Sequence, residues 1–287
     1  MAEERIDERK EGKEDIFMKF GLIGHPIGHS LSPALFKAGY NGKYQYDLIE
    51  GSDFEEAYER FLEEYDGINV TAPFKELAIR KADILSEECR LTGATNLLVK
   101  TPEGVKAYNS DFLGVQLWLK QIPRLTSFAR NDRLPQSNRA LEDRPTALVV
   151  GLGGAGKAAA AAAESLGLKT VLMNRTQYNR GIKPLSKFRE EFRKADIIIY
   201  NLPVRIDELG QLTEEDFCPG KPKHILEANY RNPSFDGALI NRMKAANPDA
   251  TYTEGLAWLL AQAVTGYEIF TGETPDEEAM RAVIKSK

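Results

Sequence analysis

Histidine and cysteine are scarce in this chain of 287 residues, with three of the former and two of the latter. Cys89 and Cys218 form no spacing motif, and His25, His29 and His224 are scattered between two halves, so no metal cluster is expected. Such sparse thiol usage fits a reducing cytoplasm. No window comes near the ~18 consecutive apolar residues that a membrane span needs. A basic excess is missing too: 38 Lys and Arg stand against 43 Asp and Glu, a net charge of −5. That excludes the general positive footprint of a nucleic-acid binder. Met1 to Asp15 holds seven acids, four bases and almost nothing apolar. It lacks the apolar core of a secretory signal, so residues 1–17 read as a solvated acidic tail. The rest, 42 % hydrophobic and 28 % charged, has the composition of a globular protein. Its length suits one large domain or two ordinary ones.

The richest stretch is Gly151-Leu152-Gly153-Gly154-Ala155-Gly156. The apolar run Thr146 to Val150 before it reads as a buried parallel strand, and the alanine-rich run Lys157 to Ala163 after it as a helix. Strand, glycine turn and helix together make a dinucleotide-binding hypothesis. The glycines let the backbone approach a pyrophosphate, whose charge the helix N-terminus favours. The next strand, Lys169 to Met173, ends in Asn174-Arg175-Thr176. An NAD fold usually places an acid there for the ribose 2′-hydroxyl, whereas an arginine suits a 2′-phosphate. Arg175, with Arg180 nearby, points to NADP.

Periodicity divides the chain in two. Strands are expected at Lys19 to Ile23, Tyr44 to Ile49 and Gly67 to Val70, with helices at Pro33 to Tyr40 and Asp53 to Tyr65. A helical stretch follows through Cys89, then a hairpin of Thr95 to Lys100 and Gly104 to Tyr108. Ile122 to Arg144, rich in Arg, Asn, Asp, Ser and Pro, reads as an exposed linker or insertion. Further strands fall at Asp196 to Tyr200 and His224 to Glu227. Gly255 to Phe270 is apolar nearly all round and reads as a helix buried between layers. The expectation is a two-domain α/β protein with a cleft between the halves. Residues 18–121, with 255–287 packing back on them, form the substrate domain, and residues 145–254 a Rossmann-type NADP domain.

A nucleotide fold does not say what reacts, so the substrate is sought in the first half. Four clusters of small polar residues lie there at strand ends. In His29-Ser30-Leu31-Ser32-Pro33, Ser32 reads as a helix cap ahead of a proline. Paired with Ser30, it also makes a carboxylate site at a helix N-terminus. Asn69-Val70-Thr71-Ala72-Pro73-Phe74-Lys75 places a lysine, ordinarily a surface residue, after an apolar turn. In Gly93-Ala94-Thr95-Asn96 the asparagine is a turn residue or more. In Asn109-Ser110-Asp111 the aspartate is a candidate N-cap or a functional acid.

These motifs, followed in order by the glycine turn, Asn174-Arg175-Thr176, Gly255 and Gln262, resemble the NADP-dependent shikimate dehydrogenase family from about Phe20 onward. The resemblance implies a catalytic pair of Lys75 and Asp111. It implies substrate contacts from Ser30, Ser32, Thr71, Asn96, Tyr230 and Gln262, the last being the lone amide in an apolar helix, with a core hydrogen bond as its other reading. Cofactor contacts would come from Gly151, Leu152, Gly153, Gly154, Ala155, Asn174, Arg175, Thr176, Ala228 and Gly255. The implied activity is reduction of 3-dehydroshikimate by NADPH in a cytoplasmic monomer or homodimer, with shikimate and NADP as its small-molecule partners and no nucleic acid, membrane or metal. Three departures stand out: the long 122–144 stretch, Asn201-Leu202-Pro203-Val204 without the family's threonine and glycine, and an extra residue before Pro233. The rival readings are a quinate/shikimate dehydrogenase using NAD, a non-catalytic shikimate or quinate sensor on the same fold, and a plain NADP-binding regulatory module.

Overall fold

The computed structural model describes residues 18–123, 125, 144–177 and 179–286. The acidic tail, and all but a few residues of the 122–144 stretch, lie outside them. In chain order the elements are β1 (Lys19–Gly24), α1 (Ser32–Gly39), β2 (Gln45–Glu50), α2 (Phe54–Glu64), β3 (Gly67–Val70), α3 (Lys75–Ala78), β4 (Ile84–Leu85), α4 (Glu87–Thr92), β5 (Leu97–Thr101), β6 (Gly104–Tyr108) and α5 (Ser110–Gln121). Then come β7 (Thr146–Val150), α6 (Gly154–Ser165), β8 (Lys169–Met173), β9 (Ile182–Lys183), α7 (Phe188–Lys194), β10 (Ile197–Tyr200), α8 (Asp207–Gly210), β11 (His224–Glu227), α9 (Gly237–Ala246), β12 (Thr251–Thr253), α10 (Gly255–Thr271) and α11 (Glu277–Lys285).

Two six-stranded sheets result. The first has the order β2-β1-β3-β5-β6-β4. Its β1, β2 and β3 run parallel, and the hairpin β5–β6 turns back against β3. The second, β12-β11-β10-β7-β8-β9, is parallel throughout. Its order reverses between β7 and β10, and such a switch point is where open α/β sheets bind ligands. Strand β7 is buried on both faces, which is why Ala147 to Val150 read as a continuous apolar run.

The two sheets are bound together by helices. Phe112, Val115 and Leu119 of α5 share one core cluster with Ala158, Ala159, Ala162 and Ala163 of α6 and with Trp258 of α10. Further along α10, Leu260, Ala263, Tyr267 and Phe270 pack with Phe20, Leu35 and Phe36 of the first half. The expected helix through Cys89 is broken into α3, a 3₁₀ turn over Ile79–Lys81, the two-residue strand β4 and α4. The break lets Asp83 accept from Val105 N at 2.8 Å, so the β6 edge is paired, not bare. No helix among the described residues is long and apolar enough to cross a membrane.

Candidate active site

A cavity of about 410 Å³ opens where the strand ends of the two sheets face each other. Its wall includes Ser30, Ser32, Thr71, Lys75, Asn96, Asp111, Tyr230 and Gln262, so every residue expected to touch substrate or act on it faces one space. Ala155, Ala228 and Gly255 line it from the nucleotide side.

Lys75 opens α3 directly after β3 and its turn, while Asp111 sits in the first turn of α5. The lysine ammonium donates to Asp111 Oδ2, and the two side chains are only 17 % and 13 % exposed. Asp111 is not the helix cap. That place belongs to Asn109, whose Oδ1 accepts from Phe112 N at 3.1 Å. The aspartate carboxylate is thereby left to the lysine, and its backbone carbonyl accepts from Trp258 Nε1 at 3.3 Å. A Cβ on Gly154 would lie 3.1 Å from Lys75 Cδ, so the lysine stem rests against the glycine turn of the second half.

Ser32 is likewise no cap. It is the first residue of α1, its own N–H donates to Ser30 Oγ at 3.2 Å, and Ser30 Oγ donates to Ser32 Oγ at 3.1 Å. The hydroxyl pair faces the cavity at a helix N-terminus, an arrangement suited to a carboxylate. Below it, burial raises the Tyr46 phenol well above its usual value, and it donates to Asn69 Oδ1 at 2.7 Å. Burial also raises the Tyr230 phenol, so both hydroxyls stay protonated in the neutral range. Gln262 does make the backbone bond that a core amide needs, Nε2 to Leu259 O at 3.0 Å, and lines the cavity as well.

The glycine turn has the shape a dinucleotide requires. Gly151 has φ +89, and a Cβ on Gly156 would fall 1.8 Å from the Gly151 carbonyl oxygen. Gly153 caps α6 with no side-chain bond, and a Cβ on it would meet nothing within 4 Å. Bare helix N–H groups beneath open space can take a phosphate. Asn174 Oδ1 accepts from Leu152 N at 3.3 Å and so pins the turn to the end of β8. Asn174, Arg175 and Thr176 do not line the cavity; Arg175 and Thr176 lie exposed beyond β8. Gly255 permits a close approach, since a Cβ there would lie 2.6 Å from Ala228 O. Two contacts clasp the cleft from outside: Lys157 to Glu76, and Arg231 Nη2 to His29 O at 3.1 Å.

Residues 22–98 match the shikimate dehydrogenase substrate binding domain. Residues 116–229 match the D-isomer specific 2-hydroxyacid dehydrogenase NAD binding domain. A shikimate dehydrogenase (NADP(+)) of Acidiphilium cryptum is 31 % identical over 92 % of this chain and 94 % of its own. The chain belongs to the shikimate dehydrogenase family. The pentafunctional AROM polypeptide of Scheffersomyces stipitis is 29 % identical over 88 % of this chain, which spans only 17 % of that larger protein. Among solved structures, the shikimate 5-dehydrogenase of Thermus thermophilus in complex with NADP(H) and shikimate superposes with a TM-score of 0.71. At 24 % identity, covering 94 % of this chain and 99 % of that one, it establishes the two-domain fold.

Sequence reasoning assigned no role to Tyr46, Asn69, Ser110 or Trp258. Asn69 carried a usable signal, because it is a polar residue inside a strand buried at every position. Tyr46 carried none, since a tyrosine in a strand ordinarily reads as core.

Proposed function

We propose that this chain catalyses the reversible NADPH-dependent reduction of 3-dehydroshikimate to shikimate, a step toward chorismate and the aromatic amino acids, in the cytoplasm as a monomer or homodimer. One observation carries the reading: an ammonium and a carboxylate from the first turns of two different helices pair inside a cavity that the glycine turn of a nucleotide fold borders. The open space over Gly153 and the uncapped N-terminus of α6 fit the pyrophosphate of a dinucleotide. Gly151, Leu152, Gly153, Gly154 and Ala155 would hold it there. Arg175 and Thr176 would take the 2′-phosphate side, while Asn174 keeps the turn in place. Ala228 and Gly255 would border its nicotinamide end.

When bound, NADPH supplies the hydride. The chain's own part is to manage the charge that develops on the carbonyl oxygen. Lys75 delivers the proton to that oxygen during reduction and removes it in the reverse direction. Asp111 orients the ammonium through Oδ2 and keeps its other oxygen for a substrate hydroxyl. Ser30 and Ser32 bind the carboxylate, while Thr71, Asn96, Tyr230 and Gln262 hold the ring hydroxyls or share the carboxylate. Free thiols at Cys89 and Cys218 accord with a reducing compartment.

Nicotinamide absorbance tests the reading with shikimate and NADP, then with quinate and NAD. Turnover should favour the first pair by on the order of tenfold or more, the worth of one charged phosphate contact. Equal or better turnover of quinate with NAD, or none with either pair, rejects it.

A further inference from the structure

We propose that Ser110, which does not line the cavity, is a positioning residue that fixes two amides of one wall so that each has an N–H left for a ligand, and so favours ring substituents that accept. The inference rests on the reading of this cavity as the shikimate site. Ser110 is fully buried between β5 and α10. Gly266 lets α10 come this near, because a Cβ there would lie 3.3 Å from Ser110 Oγ.

The polarity of the hydrogen bonds follows from backbone groups that have no choice. A peptide carbonyl only accepts, so the bond of Gln262 Nε2 to Leu259 O at 3.0 Å fixes that amide and turns Oε1 toward Ser110 Oγ, 3.2 Å away. An amide oxygen cannot donate, so the single hydroxyl proton of Ser110 is committed to Gln262. The hydroxyl lone pairs then accept from Asn96 Nδ2 at 3.0 Å. Independently, a peptide N–H only donates, and Ser110 N donates to Asn96 Oδ1 at 2.8 Å. Both anchors give the same orientation, and nothing in the chain conflicts.

Each amide therefore has its oxygen engaged by Ser110 and one N–H left over. Asn96 and Gln262 both border the cavity, and each has one N–H, without a partner among the described residues, to give a ligand. Asn69 follows the same rule. Its Oδ1 takes the Tyr46 proton at 2.7 Å, and its Nδ2 reaches Asn96 O at 3.4 Å. A ligand facing this wall is best matched by acceptors, such as hydroxyl lone pairs or a carboxylate oxygen. An ammonium in place of a ring hydroxyl would meet three N–H donors beside amide oxygens that each already hold one hydrogen bond.

The experiment has two arms on the full-length protein. In the first, the side-chain amide signals of Asn96 and Gln262, assigned through N96D and Q262E, are followed by NMR in wild type, S110A and S110T without any ligand. Two dispersed, slowly exchanging pairs are expected in wild type and S110T, and their collapse toward free-amide positions in S110A. In the second, S110A should raise KM for shikimate by about tenfold or more, with kcat changed by less than about threefold and KM for NADP unchanged. S110T should restore KM. A merely structural serine would lower folded fraction or melting temperature without this split. Unchanged amide signals in S110A, or an unchanged KM in an active enzyme, overturns the proposal. A wild type that ignores shikimate rejects the functional reading instead, and the ligand-free amide signals still decide whether Ser110 sets the wall's polarity.

Discussion

Replacing Gly156 and Gly153 separately with alanine should weaken NADPH binding in both cases but lower stability substantially only in the first. At Gly156 the new methyl carbon would begin 1.8 Å from Gly151 O and 2.9 Å from Gly151 C, where contacts below 3.0 Å do not occur. The turn must therefore retreat from α6 by more than about 1 Å, and both groups in the clash are held by the backbone. Overpacking of this kind costs about 3 kcal/mol, and alanine's better helix propensity returns about 1 kcal/mol. A net loss of about 2 kcal/mol corresponds to a melting temperature lower by roughly 4–8 °C for a cooperative unit of about 150–250 residues. NADPH affinity should fall by at least about tenfold, because the displaced turn no longer aims its N–H groups as before. At Gly153, φ −69 and ψ −173 suit any residue and no heavy atom lies within 4 Å of the added carbon. Stability should change by less than about 1 kcal/mol, since alanine narrows the unfolded ensemble but is a poorer N-cap than glycine. Yet NADPH should again bind at least about tenfold more weakly, because that open volume is where the pyrophosphate would approach. Calorimetric melting and titration with NADPH read both quantities. G156A with wild-type melting refutes the packing argument, and G153A with wild-type affinity shows that the space over the turn is not the cofactor's.

Three other outcomes are expected. K75A should lower kcat by about 10²–10⁴ while NADP affinity stays within about twofold, and steady-state kinetics with a fluorescence titration checks both. R175A should reduce the preference for NADP over NAD by about 10- to 100-fold in kcat/KM, the worth of a charge-assisted phosphate contact, and an unchanged ratio would remove Arg175 from that role. Lys223 is buried, bonds to Phe192 O and Ala195 O at 2.7 and 2.6 Å, and burial lowers its pKa from 10.5 to about 8. Between those values the folded chain binds fewer protons than the unfolded one, so stability from this group rises with pH. Wild type should gain up to about 3 kcal/mol over K223M from pH 8 to 10.5, measured by denaturant unfolding, and a gap independent of pH would refute it.

Much of this was readable in the residues because each signal had a single physical source. The Gly151–Gly156 turn between an apolar strand and an alanine-rich helix could hardly fold otherwise, and the parallel order of the second sheet follows from repeated strand–helix alternation. What escaped was too short or too ambiguous. β4 and β9, two residues each, and β12, three, are too brief to show a period of two. At two helix starts a local rule pointed to the wrong residue. Ser32-Pro33 has the form of a cap yet lies inside α1, and Asp111 yields that place to Asn109, two positions earlier. In both cases the side chain spared from capping is one that faces the cavity. The role of Ser110 depends on Gln262, 152 residues away, and no local pattern announces a bond across that separation.

The alanines of α6 matter for more than helix propensity. Their methyl groups fill the layer between the nucleotide-binding sheet and α5, so they act as a shim of fixed thickness. On one side of that shim hangs the turn that would carry the hydride donor, and on the other the helix bearing Asp111. A single added methylene would thicken it and push the two reacting partners out of alignment, where an error of about 1 Å is worth roughly a hundredfold in rate. Tolerance in this enzyme is thus set by its smallest side chains, at positions that never meet the substrate.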